Sequence, residues 1–279
     1  MSVESHYAVV NGLTMHYVSM GEGPPVFLLH GFPDTHEIWR KQIPALAAAG
    51  MRVIAPDLRG YGKTDAPTST GAYAIEFLCA DVIGLMDALG IEKAAVVGHD
   101  WGGLVGWQLC MDAPQRVERF AALSTGHPAA IAHAGAAQRM RFWYILGFMM
   151  PVVAEHAIKA RDWYFLRQMT RNREQQAIWR KALEPEGRLT AALNYYRANL
   201  KLGSPRRWHP VEVPVMGVWS DRDPALGEKQ MLDSAEHCQA GFRYERLSGA
   251  GHWMQLSATD RLNALLIDFL TSAPYKAAA

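Results

Sequence analysis

The amino-acid sequence predicts an α/β protein in which a mostly parallel sheet, covered by helices on both faces, is interrupted once by a helical insertion. Short β-rich runs alternate with helical stretches through the first 125 residues, which is typical of a parallel sheet. The alternation stops between residues 126 and 210, where the chain is aromatic, arginine-rich and helical, and it resumes afterwards. We therefore expect a core domain built from residues 1–125 and 211–279, with a cap domain of residues 126–210 inserted into it.

Eight short runs carry the strand pattern. In chain order they cover residues 6–10, 14–19, 26–29, 52–55, 94–97, 120–124, 214–220 and 242–247. The clearest helix between them is expected over residues 75–89, where apolar side chains recur at intervals of three and four. The last two runs are each followed by a loop and a helical stretch, so we expect them to extend the same sheet.

Composition excludes several classes of protein. The 279 residues are 49% apolar, enough to bury a sizeable core, and a net charge of +1 gives no reason to expect nucleic acid or an anionic membrane as a partner. Three widely spaced cysteines fit neither a disulfide framework nor a zinc site. The first ten residues lack the basic and apolar stretches of a secretion signal, so we expect none. The longest apolar run, residues 142–154, is shorter than the roughly 20 residues of a membrane span. We expect a cytoplasmic protein.

The insertion differs in charge from the rest of the chain. Residues 126–210 hold 14 of the 28 Lys and Arg but 5 of the 27 Asp and Glu, which gives +9 there and −8 elsewhere. Such a charge attracts anionic substrates, although arginine-rich helices more often present a solvated face. The apolar run 142–154 also has two interpretations: the wall of an apolar pocket, or packing within the cap and contact in a homodimer.

A candidate nucleophile lies in the turn after the fifth strand, in the segment Gly98-His99-Asp100-Trp101-Gly102-Gly103. Small residues on both sides of the central one permit a tight strand-to-helix turn that lifts its side chain above the sheet. Ligands of open α/β sheets bind beyond the carboxyl ends of the strands, where this turn is expected. Asp100 is therefore the candidate nucleophile.

An aspartate at this position indicates a reaction class. A carboxylate that attacks an acyl carbon forms an anhydride, which offers no advantage over the original bond. A carboxylate that attacks a tetrahedral carbon displaces the leaving group and forms an alkyl ester, which water then hydrolyses. We expect hydrolysis of a C–O or C–halogen bond in a small apolar electrophile, with water as the second substrate.

The second step requires a base, an acid that orients it, and an oxyanion hole. His252, in the loop after the last strand, is the candidate base; Asp223 is the candidate acid, with Asp221 as the alternative. The order nucleophile, acid, histidine along the chain is the one expected for this architecture. Backbone N–H groups of Phe32 and Trp101 are the expected oxyanion donors.

Motifs for cofactors are incomplete. Gly62-Lys63-Thr64 resembles the end of a phosphate loop, but Asp57 occupies the position of the required earlier glycine. His36-Glu37 does not complete a zinc helix, because Arg40 stands where the second histidine belongs. We expect neither a metal nor an organic cofactor.

In combination, these segments resemble the epoxide hydrolase branch of the α/β-hydrolase superfamily. His30-Gly31-Phe32-Pro33, Asp57-Leu58-Arg59-Gly60-Tyr61-Gly62, the segment around Asp100, and Gly251-His252-Trp253 carry the resemblance, which extends over nearly the whole chain. It implies the α/β-hydrolase fold, with a helical cap, and an Asp–His–Asp mechanism. Haloalkane dehalogenases and fluoroacetate-type dehalogenases share this core and differ in the cap.

The resemblance also implies two cap tyrosines that protonate the epoxide oxygen. Tyr196 matches the second. The distance along the chain to Gln168 places Trp163 at the position of the first tyrosine. Tyr164 is adjacent, but a shift of one residue on a helix rotates a side chain by about 100°. We expect Tyr196 and Trp163 to contact the substrate.

A tryptophan at the first position leaves the substrate class open, because a halide needs N–H donors and no proton. A hydrolytic dehalogenase is therefore the alternative to an epoxide hydrolase. Phe32 stands where haloalkane dehalogenases usually have a halide-binding asparagine, which argues against that type. Trp101 and Leu104 stand where fluoroacetate-type dehalogenases are expected to have carboxylate-binding arginines, which argues against the other. A non-catalytic ligand-binding protein on the same fold is a weaker alternative, and an esterase is disfavoured because position 100 is not serine.

Overall fold

The computed structural model describes residues 2–199 and 208–272. Eight strands form one sheet: β1 (Glu4–Val10), β2 (Leu13–Met20), β3 (Pro25–Leu29), β4 (Arg52–Pro56), β5 (Ala94–His99), β6 (Val117–Leu123), β7 (Val215–Arg222) and β8 (Phe242–Gly251). Each predicted strand is present, with limits that differ by a few residues.

The strand order in the sheet is β1-β2-β4-β3-β5-β6-β7-β8. The first two strands form an antiparallel hairpin, and β2 also pairs with β4 in antiparallel fashion. Every other neighbouring pair is parallel. The residues of β5 are all buried, as expected of a central parallel strand that is covered on both faces. The predicted mostly parallel sheet is confirmed.

Helices cover both faces of the sheet. Those that follow core strands are α1 (Gln42–Ala48), α2 (Ile75–Ala88), α3 (Trp101–Asp112), α10 (Glu228–Leu232), α11 (Met254–Ser257) and α12 (Thr259–Thr271). The predicted helix over 75–89 corresponds to α2, which buries its apolar side chains, such as Leu78, Val82 and Leu85.

The described helices of the connection between β6 and β7 all lie between residues 128 and 199. They are α4 (Pro128–His133), α5 (Ala136–Arg141), α6 (Trp143–Phe148), α7 (Val153–Met169), α8 (Arg173–Leu183) and α9 (Arg188–Asn199). We call residues 126–199 the cap segment. Part of the predicted cap, residues 200–207, lies outside the described residues, and the limits 126 and 210 of a separate domain stay a prediction.

One helix of the cap segment is broken. Within α7, residues 160–163 leave the helical conformation, and Arg161, Asp162 and Trp163 have positive φ angles of 49°, 54° and 58°. None of the described helices is both long and apolar enough to cross a lipid bilayer.

Candidate active site

Asp100 lies at the sharp turn between β5 and α3, beyond the carboxyl end of the strand. Its φ and ψ angles of 53° and −117° are unusual for a residue with a side chain. The turn depends on missing side chains: a Cβ atom on Gly98 would collide with the backbone of Gly102, and one on Gly102 would collide with the carbonyl of Leu29. A Cβ on Gly31 would collide with the side chain of Asp100 itself. The glycines therefore allow the strained turn.

The two expected oxyanion donors both point at the Asp100 carboxyl group. The backbone N–H of Phe32 donates to Oδ1 at 2.8 Å, and the backbone N–H of Trp101 also forms a hydrogen bond with this carboxylate. The Thr125 hydroxyl donates to the Asp100 carbonyl at 3.1 Å and supports the turn. One carboxylate oxygen thus lies where an oxyanion would be stabilised, and the other is free to react.

His252 lies between the two expected carboxylates. Its Nδ1 is 2.8 Å from Oδ2 of Asp223, and its Nε2 is 3.8 Å from Oδ2 of Asp100. The other oxygen of Asp223 accepts backbone hydrogen bonds from Ala225 and Leu226, at 2.8 and 3.0 Å. These bonds fix the acid, which in turn orients the imidazole.

The alternative acid, Asp221, does not contact this histidine in the structure. Its Oδ1 accepts a hydrogen bond from the backbone N–H of Gly249 at 2.7 Å. It therefore holds the turn that precedes His252, and Asp223 is the acid in contact with the imidazole.

Burial and charge act in opposite directions on the ionisation of this group of residues. Burial alone would lower the pKa of His252, but the charge and hydrogen bond of Asp223, together with the charge of Asp100, raise it to about 9. Burial would raise the pKa of Asp223, yet His252 and the backbone donors lower it. For Asp100, burial dominates and raises the pKa, although His252 and the oxyanion donors oppose it. The two aspartates therefore favour the imidazolium form of His252 that lies between them.

Two lobes of a cavity meet at Asp100. The larger lobe, about 300 Å³, extends along α4–α6 and is lined mainly by apolar side chains. The smaller lobe, about 160 Å³, contains His252 and Phe32 in its walls. Three residues line both lobes: Asp100, Tyr144 and Tyr196.

The hydroxyl of Tyr196 forms a hydrogen bond with the Trp101 side chain, in which the indole N–H is the donor and the phenol proton stays available. Burial, with the nearby charge of Asp100, raises the pKa of Tyr196 well above its usual value. The same two causes raise the pKa of Tyr144. Both phenols are therefore protonated at neutral pH and suited to donate a hydrogen bond or a proton.

The structure does not bring Trp163 to the cavity, and this corrects the expectation drawn from register. Trp163 is buried within the cap segment, its ring lies 5.8 Å from the ammonium group of Lys159, and it lines neither lobe. Adjacent Tyr164 is 49% exposed and also lines neither lobe. The register to Gln168 holds only for a regular helix, whereas the backbone is left-handed at Trp163.

Tyr144 lines both lobes beside Tyr196, and sequence reasoning missed it. It lies on α6, far from Trp163 along the chain. The signal available was the apolar run 142–154, for which a pocket wall was one of two interpretations.

Asp34 is a second residue that sequence reasoning missed. It is completely buried, and its carboxylate accepts hydrogen bonds from Trp179 at 2.6 Å, Trp253 at 2.9 Å and Gln175 at 3.0 Å. Burial raises its pKa to about 7, although the two indole donors oppose the shift. It connects α8 of the cap segment to the loop that carries Phe32. Its place directly after His30-Gly31-Phe32-Pro33 was the available signal.

One cluster in the described ranges has the residue types of a metal site: His16, His36 and Asp57. Each imidazole Nδ1 already lies within hydrogen-bond distance of a different Asp57 oxygen, at 2.8 and 2.7 Å. Both oxygens accept a further backbone N–H, from His36 and Lys63. These three side chains therefore form a hydrogen-bonded network that fixes the loop after β4.

Comparison with known proteins agrees with this geometry. Residues 24–259 match the family model described as the alpha/beta hydrolase fold. The chain belongs to the α/β-hydrolase family. This α/β-hydrolase is 33% identical to the AB hydrolase superfamily protein YfhM of Bacillus subtilis, over 96% of its own length and 98% of that protein's.

Similar proteins named as epoxide hydrolases include one relative and one solved structure. Epoxide hydrolase A of Mycobacterium tuberculosis is 33% identical to the α/β-hydrolase described here, over 94% of this chain and 95% of that one. The crystal structure of an epoxide hydrolase from Vigna radiata superimposes with a TM-score of 0.84 at 30% identity, covering 96% and 97% of the two chains. The predicted resemblance to this branch is confirmed.

Proposed function

We propose that this α/β-hydrolase converts epoxides to vicinal diols without a cofactor. The observation that carries the proposal is the convergence of two protonated phenols, Tyr144 and Tyr196, on an apolar cavity whose third shared residue is Asp100. An epoxide requires this combination, because its ring carbon is attacked from one side while its oxygen leaves as an alkoxide that must be protonated.

In the first step, Oδ2 of Asp100 attacks the less hindered ring carbon. The carbon–oxygen bond breaks, the electron pair passes to the ring oxygen, and Tyr144 or Tyr196 donates a proton to it. The product is an alkyl ester of Asp100 that carries a neighbouring hydroxyl group.

In the second step, His252 removes a proton from water, which attacks the carbonyl carbon of the ester. The resulting oxyanion is stabilised by the N–H groups of Phe32 and Trp101. Its collapse breaks the ester bond to the diol oxygen, which takes up the proton held by His252, and the phenolate left by the first step regains its proton from solvent. Ester formation also removes the negative charge of Asp100, one of the causes that raise the pKa of His252. The imidazolium therefore loses its proton to solvent more readily once the intermediate exists, and the neutral imidazole is then available as the base.

The contacts of the cavity favour an epoxide over an organohalide. A halide is held by N–H donors, but the indole N–H of Trp101 is directed at the Tyr196 oxygen, and Trp163 lines neither lobe. A phenol hydroxyl is the better match for a developing alkoxide than for a halide.

A paired assay tests the proposal. Diol formation from a panel of epoxides is measured beside halide release from haloalkanes and haloacids of matched size; we expect diol and no halide. Asp100→Ala should abolish turnover, and His252→Gln should accumulate an adduct, seen as a mass increase on Asp100. Halide release without diol formation would assign the dehalogenase reaction instead, and full turnover in both variants would exclude the mechanism.

Three further expectations from the sequence remain predictions: independence from metal ions and organic cofactors, a cytoplasmic location and a homodimer. Dialysis against a chelator should leave diol formation unchanged.

A further inference from the structure

One outer surface of the cap segment is both exposed and apolar. Twelve large apolar side chains are exposed among the described residues, and six of them lie between residues 140 and 153. These six, which we call the outer patch, are Met140, Trp143, Leu146, Met150, Val152 and Val153. Their exposed fractions range from 50% to 73%. Single exposed apolar side chains are common on soluble proteins, whereas a contiguous group marks a surface that contacts another molecule.

The outer patch follows consecutive helices of the cap segment. Met140, Trp143 and Leu146 recur at intervals of three residues on α5 and α6, a spacing that places side chains on the same side of a helix. The helical turn continues across the junction, where the N–H of Ile145 donates to the carbonyl of Phe142 at 3.0 Å. Phe142 and Ile145 line the larger lobe. These helices therefore present apolar side chains to solvent as well as to the cavity, whereas a helix that only covered a cavity would be polar on its outer side.

Positive charge surrounds the outer patch. Four exposed cations precede or follow its members along the chain: Arg139, Arg141, Lys159 and Arg161. Lys159 lies on α7 six residues after Val153, which is about 9 Å along a helix axis. The one carboxylate between residues 133 and 161 belongs to Glu155, and it forms an ion pair with Arg197 at 2.8 Å. The cations near the patch therefore face solvent without acidic side chains among them.

This combination fits the surface of an anionic membrane. Tryptophan and leucine side chains bordered by Lys and Arg are typical of helices that lie in the interface between lipid and water. The net charge of +1 gave no reason to expect such a partner, but it averages +9 in residues 126–210 with −8 elsewhere. Electrostatic attraction to anionic lipid acts over about a Debye length, so the charge next to the patch decides the interaction.

A second copy of the chain is the other candidate for covering the outer patch. A twofold contact places the same surface of both copies together, and like charges that meet in an interface are unfavourable. Such a contact would also cover Trp143, which is 71% exposed and lines the smaller lobe. Both arguments favour a lipid surface over a second copy.

We propose that the outer patch binds the surface of membranes that contain anionic lipid. Its apolar side chains lie among the lipid headgroups, and the flanking cations lie against the lipid phosphates. The inference goes beyond the proposed function and does not depend on it, because membrane binding requires no turnover. The wall of the smaller lobe at Trp143 then faces the bilayer.

Sedimentation of the full chain with lipid vesicles, in the absence of substrate, tests the proposal. Vesicles of phosphatidylglycerol and phosphatidylcholine in equal parts are compared with vesicles of phosphatidylcholine alone. We expect the wild type to bind the anionic vesicles at least about tenfold more tightly and to release them at high salt. Equal binding to both kinds of vesicle, or binding to neither, would overturn the proposal.

Two substitutions address the apolar and the charged component separately. Leu146→Ser should weaken binding to anionic vesicles about tenfold, because it removes an apolar side chain from the interface. Lys159→Gln should weaken it about fivefold, as expected for one cation near an anionic surface. Leu146→Trp should bind at least as tightly as the wild type, since tryptophan favours the membrane interface, and a general defect of folding would not produce this rescue.

Leu232→Ser and Lys93→Gln are the matched controls. Leu232 is exposed on α10, and Lys93 is exposed just before β5; neither lines a lobe. We expect both control variants to bind anionic vesicles like the wild type. Losses in the controls as large as those in Leu146→Ser and Lys159→Gln would contradict a role of the outer patch.

Sedimentation equilibrium without vesicles decides whether a second copy covers the patch instead. We expect the wild type and Leu146→Ser to have the same oligomeric state. A dimer that dissociates in Leu146→Ser while vesicle binding stays unchanged would assign the patch to a protein interface and overturn the proposal. If no epoxide is converted, the proposed function fails, while the vesicle results still decide the membrane site.

Discussion

Asp100 combines reactivity with an unfavourable backbone conformation. A non-glycine residue in such a region of φ/ψ space costs on the order of 1–3 kcal/mol, and it persists because the packed turn leaves no alternative. The benefit is positional: the carboxylate faces two backbone N–H groups on one side and His252 on the other. A side chain on Gly31 would collide with it, so this glycine belongs to the site as much as the charged residues do.

Two tyrosines give the first residue-level prediction. Tyr144→Phe and Tyr196→Phe should each slow formation of the alkyl-enzyme by about 10²-fold, because general acid catalysis typically contributes 10²–10⁴-fold. The rate is measured by rapid quenching and mass spectrometry of the protein in a single turnover. Tyr7→Phe, at a 57% exposed position on β1, is the control.

Trp163→Phe tests whether Trp163 or Tyr144 supplies the first donor from the cap segment. The structure predicts that alkylation proceeds in this variant at about the rate found for Tyr7→Phe. A loss as large as that in Tyr144→Phe would restore the role that register assigned to Trp163.

The positions of the candidate catalytic residues were largely predictable, whereas that of the candidate cap donor was not. Asp100, His252, Asp223 and the oxyanion donors follow strands, so a linear pattern of strands and turns is enough to bring them together. The position of Trp163 depends on α7, where positive φ angles interrupt the helix; no periodicity in the sequence reports such a break. Asp34 was missed because its role depends on partners that are distant along the chain.

At the scale of elements, α5 of the cap segment connects the cavity to the loop of the candidate acid, Asp223. The buried side chain of Gln138 donates to the carbonyl of Ala225 at 2.8 Å and accepts from the backbone N–H of Gly227 at 2.8 Å. Arg141, one turn along, donates to the carbonyl of Asp223. The loop that orients His252 is thus held by the cap as well as by the core.

This connection predicts the effect of Gln138→Ala. The substitution removes two hydrogen bonds to partly buried backbone groups, which should lower the free energy of unfolding by about 1 kcal/mol. It should also slow hydrolysis of the alkyl-enzyme more than its formation, because Asp223 orients the base of the second step. Both rates are obtained from rapid-quench measurement of the intermediate.

Gln176→Ala is the matched control for Gln138→Ala. Gln176 also bonds to backbone carbonyls, those of Arg167 and Thr170, but entirely within the cap segment. The same ratio of the two rates in both variants would show that α5 has no specific effect on the acid loop.

For the whole molecule, the sheet was predictable because most of its strands are short, apolar and separated by helices, a pattern typical of parallel pairing. The strand limits moved by a few residues because hydrogen bonding to neighbouring strands, rather than composition, decides where a strand ends. The arrangement of the cap helices was not predictable, since several are only six residues long and are held by contacts with the core.

The buried ionisable groups together predict how stability depends on pH. The pKa of His252 is raised from 6.5 to about 9, so its contribution is complete below about pH 6.5 and is lost as the pH rises through 9. The pKa of Asp34 is likewise raised, from 3.8 to about 7, so its contribution to stability is complete below about pH 4 and is lost as the pH rises through 7. The lowered pKa values of Asp57 and Asp223 act oppositely, since their contribution is lost in acid. Burial lowers the pKa of His30 to about 4 and that of His127 to about 3, so these two groups add stability as the pH rises towards 6.5. We therefore expect maximum stability near pH 6.5.

Urea unfolding at several pH values checks this expectation. The wild type should lose a few kcal/mol between about pH 7 and 9, at roughly 1.4 kcal/mol for each unit of pKa shift, and His252→Gln should lose much less over that interval. An equally steep decline in the variant would assign it to another group.

The unequal lobes on either side of Asp100 have a stereochemical consequence. An epoxide with one long and one short substituent fits in a single orientation, with the long arm in the 300 Å³ lobe and the short arm in the 160 Å³ lobe. Asp100 then meets the same ring carbon in every productive complex, and the mirror-image substrate presents that carbon from the wrong side. A racemic mixture should consequently be resolved, leaving one enantiomer behind while the other becomes a diol of defined handedness.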